Sequence, residues 1–592
     1  MPSNSQTPEI VTDFSAPVDI LVGPRRSMMA KRMGYQPMSA ASMKGALKFI
    51  ETQFGQKPIK TFKPHIVMTK STHDEATEVH KFRMDFEQAA ILARTAGQSV
   101  SVEIDSHLRY GSVAPSSLMQ QLMGRTNFSG APIKEGSVKI RVIGAGDAPL
   151  QGVSVTMEAA GFPQEGVTDA KGEVTLKLFQ LPGANLVSSV FVRPKRGHWN
   201  RILTAPALTL TGINVIRLKP LSDTQPDFPK DAGYGWGQKL MGLDQLPDEF
   251  TGKGVKIAII DSGADTKHPS LKHINRGFDM TNEADTSTWK DDVIGHGSHC
   301  AGIITGNSPE TEAVRGFAPD AEIIVMKVFP GGQFSSLLDA LSECIRQKVD
   351  VVNMSLGGGE ASEIVEQQIE ECVQHGICCI VAAGNSGNEV QYPAKSPSVL
   401  AVSALGQIAE VPSDTWEAST MQPEHATPSG LFSPSFTCHG PEIGVTAPGV
   451  GIISSVPGGA FDPQSGTSMA APHICGMAAL LVAHHPDFKA IPKDASRVAH
   501  LFAMLKGNAQ PIGLSAERAG AGLPVLHNLI AQFSNAESTE DVMIAAAGPV
   551  ASRRAPSSPL MYPAQARQIY QPAYAGYGAG GFTVTPQGIF YH

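Results

Sequence analysis

Four short stretches of this 592-residue sequence set reactive side chains at points where the chain changes character. An apolar run, VKIAII, leads into Asp261 of DSGADTKHP, and DDVIGHGSHCAGII sets His296 between two glycines. ICCIVAAG leads into Asn385 of AAGNSG, and GTSMAAPHICG places Ser468 just ahead of small and apolar residues. A hydroxyl is a weak nucleophile unless a neighbouring base takes its proton, so a serine, a histidine and a carboxylate in one chain raise the question of nucleophilic chemistry. Each group also has an ordinary explanation: Asp is common in turns after strands, Ser is a frequent helix cap, and a lone His is most often structural. Four such groups, each at a strand end or helix start, are much harder to explain separately.

The elements that must hold them are legible from about residue 231. VKIAII (255–260), AEIIVMKVF (321–329), DVVNMSL (350–356) and ICCIVAAG (377–384) are near-continuous apolar runs of strand length. Between them, SSLLDALSECIRQK and EIVEQQIEECVQHG have helical spacing, with Ile364, Val365, Ile369, Cys372 and Val373 on one face and Gly376 placed to stop the helix. Strands buried on both faces and alternating with helices predict an α/β fold with a parallel sheet, in which functional residues gather at the carboxyl ends of the strands.

The rest of the chain is organised differently. Residues 1–60 mix Pro, Ser, Met and Lys with little periodicity and are expected to be loosely ordered. PHIVMT, EQAAILARTAG and SVSVEID suggest strand, helix and strand in a small α+β unit over 61–130. In 131–222, SVKIRVIG, GVSVTMEA, GEVTLKLF, VSSVFVRP and NVIRLKPL alternate apolar and polar residues between turn signals, the pattern of an all-β sandwich. Such a sandwich resembles the Ig-like or carboxypeptidase-regulatory-like repeats attached to many enzymes; a spacer or folding aid is expected in preference to ligand binding. Residues 231–537 hold the α/β domain, and 538–592 form a Pro-, Ala-, Gly- and Tyr-rich tail with no core-forming pattern. Its Tyr562, Tyr570, Tyr574 and Tyr577 have the spacing of a docking peptide or of a plain flexible tail.

Composition excludes several classes. A net charge of -8 with 47 scattered Lys and Arg carries no nucleic-acid footprint. Seven cysteines lack the C-x-x-C spacing of a zinc or redox site and read as small buried hydrophobes in a reducing compartment. No continuous apolar run suggests a membrane span. The N-terminus lacks a Sec signal pattern, and RRSMMAK at 25–31 is followed by residues too polar for an export signal. The expected location is therefore cytoplasmic, or outside by a nonclassical route. Oligomeric state is not legible.

The motifs D-S-G, H-G-x-H-x-A-G, A-A-G-N and G-T-S-M-A-x-P-H resemble those of the subtilisin-like serine proteases, over roughly residues 231–510. The order Asp, His, Ser is also the subtilisin order. The resemblance implies a serine endopeptidase in which Ser468 attacks the scissile carbonyl, His296 relays the proton and Asp261 orients the imidazole. It implies that Asn385 donates to the oxyanion, that Ser355, Leu356 and Gly357 pair with an extended substrate, and that Gly384 borders the primary pocket beside Asn385. The substrates would be proteins or peptides. No cofactor is needed for the chemistry. ITGNSPETEAVRGFAP lacks the Asn-rich loop of the tight calcium site in the best-known subtilisins, which argues against calcium dependence, although acidic residues elsewhere could bind calcium weakly. Cys300, beside the His motif, resembles the cysteine of the proteinase K-like branch; it could confer thiol-reagent sensitivity or be an inert buried thiol.

The N-terminal extension is longer than a usual subtilase propeptide. Residues 64–115 could be that propeptide, making the protein a zymogen, or the extension could be retained to recruit substrates. The competing reading is an occluded, inactive subtilase fold that works as a binding or regulatory module through its sandwich and tail. Cleavage preference depends on loops near Gln391 and Tyr392, whose placement the sequence does not give.

Overall fold

The protein is described here by a computed structural model covering residues 17–63, 74–110, 134–159, 163–180, 187–224, 233–282, 284–307, 314–358 and 360–526, with the backbone of 582–585 and 588–591. The chain divides into two compact units, Met1–Ala536 and Glu537–His592.

The first unit opens with a four-stranded antiparallel sheet in the order β2-β3-β1-β4, formed by β1 (Pro17–Pro24), β2 (Lys60–Phe62), β3 (Val79–Asp85) and β4 (Val100–Ile104). Two helices, α1 (Ala40–Phe54) and α2 (Phe86–Thr95), cover it. Over residues 17–60 this corrects the expectation that 1–60 is loosely ordered; residues 1–16 lie outside the described residues. The segment VDILVG fills an interior strand whose Ile20, Leu21 and Val22 are buried, and α1 is capped by Ser39 and stopped by Gly55 at φ 67°. Helix α1 buries only a narrow stripe, Met43, Leu47 and Ile50, which hides its periodicity among polar residues. The expected strand PHIVMT lies outside the described residues.

A sandwich follows. One sheet runs β11-β10-β7-β8, with β7 (Ser154–Ala159), β8 (Gln164–Val167), β10 (Val187–Arg193) and β11 (Arg201–Thr204); the other runs β12-β6-β9, with β6 (Lys134–Ile143), β9 (Glu173–Gln180) and β12 (Ile213–Arg217). Alternate residues such as Val138, Ile140, Val155, Met157, Leu176 and Val190 form its core, as the two-residue period requires. The sandwich is fused to the α/β domain. Trp199 is only 1% exposed and shares that domain's core with Phe191, whose ring meets Trp416 edge-on at 6.2 Å. The Trp416 amide donates to the Asn200 carbonyl (3.1 Å), and the Asn200 amide nitrogen donates to the buried Glu417 carboxyl (2.7 Å).

The α/β domain is built on an eight-stranded sheet in the order β14-β15-β13-β16-β18-β19-β20, with β21 also paired to β19. The strands are β13 (Lys256–Asp261), β14 (Arg276–Asp279), β15 (Glu322–Lys327), β16 (Val351–Met354), β18 (Cys378–Ala382), β19 (Leu400–Gln407), β20 (Leu431–Phe432) and β21 (Ile443–Pro448). All pairings are parallel except β19 with β20. A two-residue strand, β17 (Leu356–Gly357), follows β16. Helices α3 (His296–Thr305), α4 (Phe334–Gln347), α5 (Glu363–Gln374), α6 (Thr467–His484) and α7 (Ala495–Gly507) accompany the sheet, with the hairpin β22 (Ile452–Val456) and β23 (Ala460–Gln464) preceding α6. Helix α6 is long and apolar enough to cross a membrane, unlike the sequence expectation, yet it is buried within the fold from Thr467 to Val482. All seven cysteines are free and buried.

In the second unit the described residues form a hairpin, Phe582–Thr585 with Gly588–Tyr591, where the sequence suggested a flexible tail or a docking peptide. Its β-branched and aromatic residues suit paired strands. The four tyrosines singled out above lie outside the described residues.

Candidate active site

Strand β13, between β15 and β16, carries Asp261 to the carboxyl end of the sheet, where it is fully buried. The His296 helix begins there through two glycines. Gly295 adopts φ 82°, and a Cβ on Gly297 would lie 2.1 Å from the Gly263 carbonyl, so only glycine lets α3 approach the Asp261 loop this closely. His296 Nδ1 donates to Asp261 Oδ1 at 2.8 Å and lies 3.0 Å from Oδ2, which leaves Nε2 as the nitrogen not engaged by the carboxylate.

Ser468 is the second residue of α6, held between neighbours of β16 and α3. Its carbonyl accepts from the Ser355 hydroxyl (2.9 Å) and the Cys300 thiol (3.4 Å), and its own hydroxyl donates to the Ser355 carbonyl at 3.3 Å. His296 Nε2 is buried without a hydrogen-bond partner, so the Ser468–His296 bond is not made in this arrangement. Asn385 lies beside the serine. Its Oδ1 accepts from the Thr467 amide (2.8 Å) and hydroxyl (3.0 Å), which makes the NH2 end the donor end, and the Gly384 amide donates to the same Thr467 hydroxyl (3.1 Å).

The strand expected to pair with substrate is already paired. Strand β5 (Arg109–Tyr110) runs antiparallel to β17, with Leu356 opposite Tyr110 and Gly357 opposite Arg109. On the other side, the Leu108 amide donates to the Gly332 carbonyl (2.9 Å) and the Phe334 amide to the Ser106 carbonyl (2.9 Å). The Leu108 side chain is buried in the same core as Phe334. The Tyr110 ring lies 5.5 Å from the His296 ring and meets Phe329 edge-on at 5.7 Å.

The extension is anchored by carboxylates at two helix starts. Glu103 accepts from the Ser362 hydroxyl (2.5 Å) and the Glu363 amide (3.0 Å) at the start of α5, and Asp105 accepts from the Ser335 amide (2.8 Å) at the start of α4. Burial pushes the Glu103 carboxyl up despite these bonds. Arg25 and Arg26 pair with Glu363 and Glu371, each at 2.8 Å.

A sequence profile described as the subtilase family matches residues 252–522. An intracellular serine protease of Paenibacillus polymyxa is 33% identical over 299 residues, covering 48% of this chain and 83% of that protein. The chain belongs to the subtilase family. Subtilisin E of Bacillus subtilis (strain 168) is 37% identical over 247 residues, covering 40% of this chain; this chain spans 58% of that relative's length. The crystal structure of fervidolysin from Fervidobacterium pennivorans, described as a keratinolytic enzyme related to subtilisin, shares the fold at a TM-score of 0.51 and 17% identity, over 87% of this chain and 61% of that one.

Some site residues of this subtilase escaped the sequence reading. Asp292 accepts from the Ser262 hydroxyl (2.8 Å), the Gly295 amide (2.8 Å) and the Ser298 amide and hydroxyl (2.8 and 2.7 Å), tying the Asp261 loop to the His296 helix. No local pattern marks it, because the position where a capping residue is expected, immediately before the helix, is Gly295. Burial pushes its carboxyl up even so. His299 is structural: its Nε2 reaches the Ile452 carbonyl at 2.8 Å, and burial lowers its pKa to about 3.

Among the described residues, Asp261, His296 and Cys300 come together as a cluster of metal-binding types. They fit a metal poorly, because burial pushes the Cys300 thiol far up and a thiol binds metal as thiolate. The stretch relevant to calcium lies partly at 308–313, outside the described residues.

Proposed function

We propose that this subtilase is a serine endopeptidase held in check by its own N-terminal extension. The observation that carries this reading is the Asp261–His296 pair, with Cys300 close to it and bonded to the Ser468 carbonyl, beside a strand that pairs with residues 109–110 of the extension. Ser468 attacks the scissile carbonyl as His296 Nε2 takes its proton; the same imidazole then protonates the leaving amine, and water hydrolyses the acyl-enzyme. Asp261 keeps the proton on Nδ1 and stabilises the imidazolium. The Asn385 amide and the start of α6 stabilise the oxyanion. No cofactor takes part in these steps. Proteins or peptides are the substrates, bound as an added strand on β17.

In this reading residues 17–110 are an inhibitory propeptide. Tyr110 pairs with Leu356 and its ring lies beside His296, so the first bond cut is expected within the few residues that follow Tyr110. The sandwich stays with the mature enzyme, because Trp199 and Phe191 belong to the α/β core. The name of the Paenibacillus relative supports action inside the cell.

A fluorophosphonate probe tests the chemistry. Wild type labels after self-processing or brief trypsin treatment, and Ser468→Ala does not. The filled cleft and the missing Ser468–His296 bond favour a second reading, an occluded binding protein. Absence of labelling in wild type after trypsin has removed the extension would establish that reading instead.

A further inference from the structure

We propose that Gln391 closes the primary pocket, so that this enzyme cleaves after glycine or another small residue. The proposal rests on the peptidase reading above and adds its substrate class. The family resemblance makes Gly384 a border of that pocket, and the Gln391 side chain lies against both Gly384 and Gly357, on the strand that would pair with substrate. A Cβ added to Gly384 would lie 2.6 Å from Gln391 Oε1, 2.7 Å from Cδ and 2.8 Å from Cγ, and one added to Gly357 would lie 2.9 Å from Oε1. A single amide side chain therefore spans the gap between the two glycines, where the side chain of the residue before the scissile bond has to go.

Gln391 is fixed there by its backbone. Its amide donates to the Ala383 carbonyl at 2.9 Å, and the carbonyl of the next residue, Tyr392, accepts from the Gly358 amide at 2.9 Å. The Tyr392 hydroxyl donates to the Ser362 carbonyl (3.0 Å), and its ring meets Phe334 edge-on at 5.9 Å. The loop is thus stitched to the neighbours of both glycines, and a large substrate side chain has to displace the amide itself. Forcing extra carbons into a filled space is unfavourable, and an apolar residue would also be buried against a polar group.

The chain's own sequence agrees independently. The residue that follows Tyr110 in the sequence is glycine, in LRYGSV. Glycine asks for no pocket volume.

Internally quenched peptides spanning Leu-Arg-Tyr-Xaa-Ser-Val, with Xaa as Gly, Ala or Phe, test this on the enzyme after self-processing or trypsin activation. Wild type is expected to favour Gly and Ala over Phe by at least about thirtyfold in kcat/KM. Gln391→Gly is expected to raise the Phe peptide by at least about tenfold and to shrink that ratio, with Gln391→Ala intermediate. Equal cleavage of Gly and Phe peptides by wild type, or an unchanged ratio in Gln391→Gly, overturns the proposal while leaving the peptidase reading intact. Failure to cut any peptide, together with no fluorophosphonate labelling, overturns both.

Discussion

At the scale of residues, the site combines two polar groups with opposite needs. His296 has one nitrogen committed to Asp261 and the other held without a partner, while Asn385 has its oxygen committed to Thr467. Each is oriented by what it cannot release. Asn385→Ala is expected to lower kcat by about 10² to 10³ with little change in KM, the size that loss of an oxyanion-hole asparagine has in subtilisin itself. Steady-state kinetics on the processed enzyme check it; a change confined to KM would contradict the oxyanion role. The placement of Asp261, His296, Asn385 and Ser468 was legible because each follows an apolar strand or starts a small-residue helix. Asp292 and Gln391 were not, since a capping carboxylate and a pocket-filling amide gain meaning only from what folds against them.

Among the elements, the joint between sandwich and α/β domain carries a buried carboxyl with one strong bond. Burial pushes Glu417 up to about 7, with only the Asn200 bond and weaker ones opposing it, and its Oε2 has no hydrogen-bond partner. Below about pH 4.5 the group is protonated in both folded and unfolded chains. Between 4.5 and 7 the unfolded chain sheds the proton first, so stability falls as pH rises, by roughly 3 kcal/mol once above pH 7. Glu417→Gln in a Ser468→Ala background is therefore expected to melt higher than its parent at pH 8, with the gap closing towards pH 4.5. Melting curves across that range decide the matter, and a gap independent of pH would contradict it. The sandwich strands were readable from their alternation, but the fusion at Phe191, Trp199 and Trp416 was not, because it joins residues more than two hundred positions apart.

Over the whole molecule, the parallel sheet and the sandwich were legible because each buries faces at a simple period. The N-terminal sheet was half missed. Its β1 and α1 present short apolar stretches among Met, Lys and Ser, and their partners β3 and β4 lie dozens of residues away. What no local pattern could show is that the extension returns to the cleft, with Glu103 and Asp105 at two helix starts and Tyr110 beside His296. Under the proposed function that return makes the extension an internal substrate, and the most direct test is where the chain first cuts itself. Intact mass and N-terminal sequencing of purified wild type, followed over time beside Ser468→Ala, should show a new terminus within a few residues after Tyr110 in wild type alone; an uncut wild type, a first cut elsewhere, or the same cut in Ser468→Ala would contradict the account.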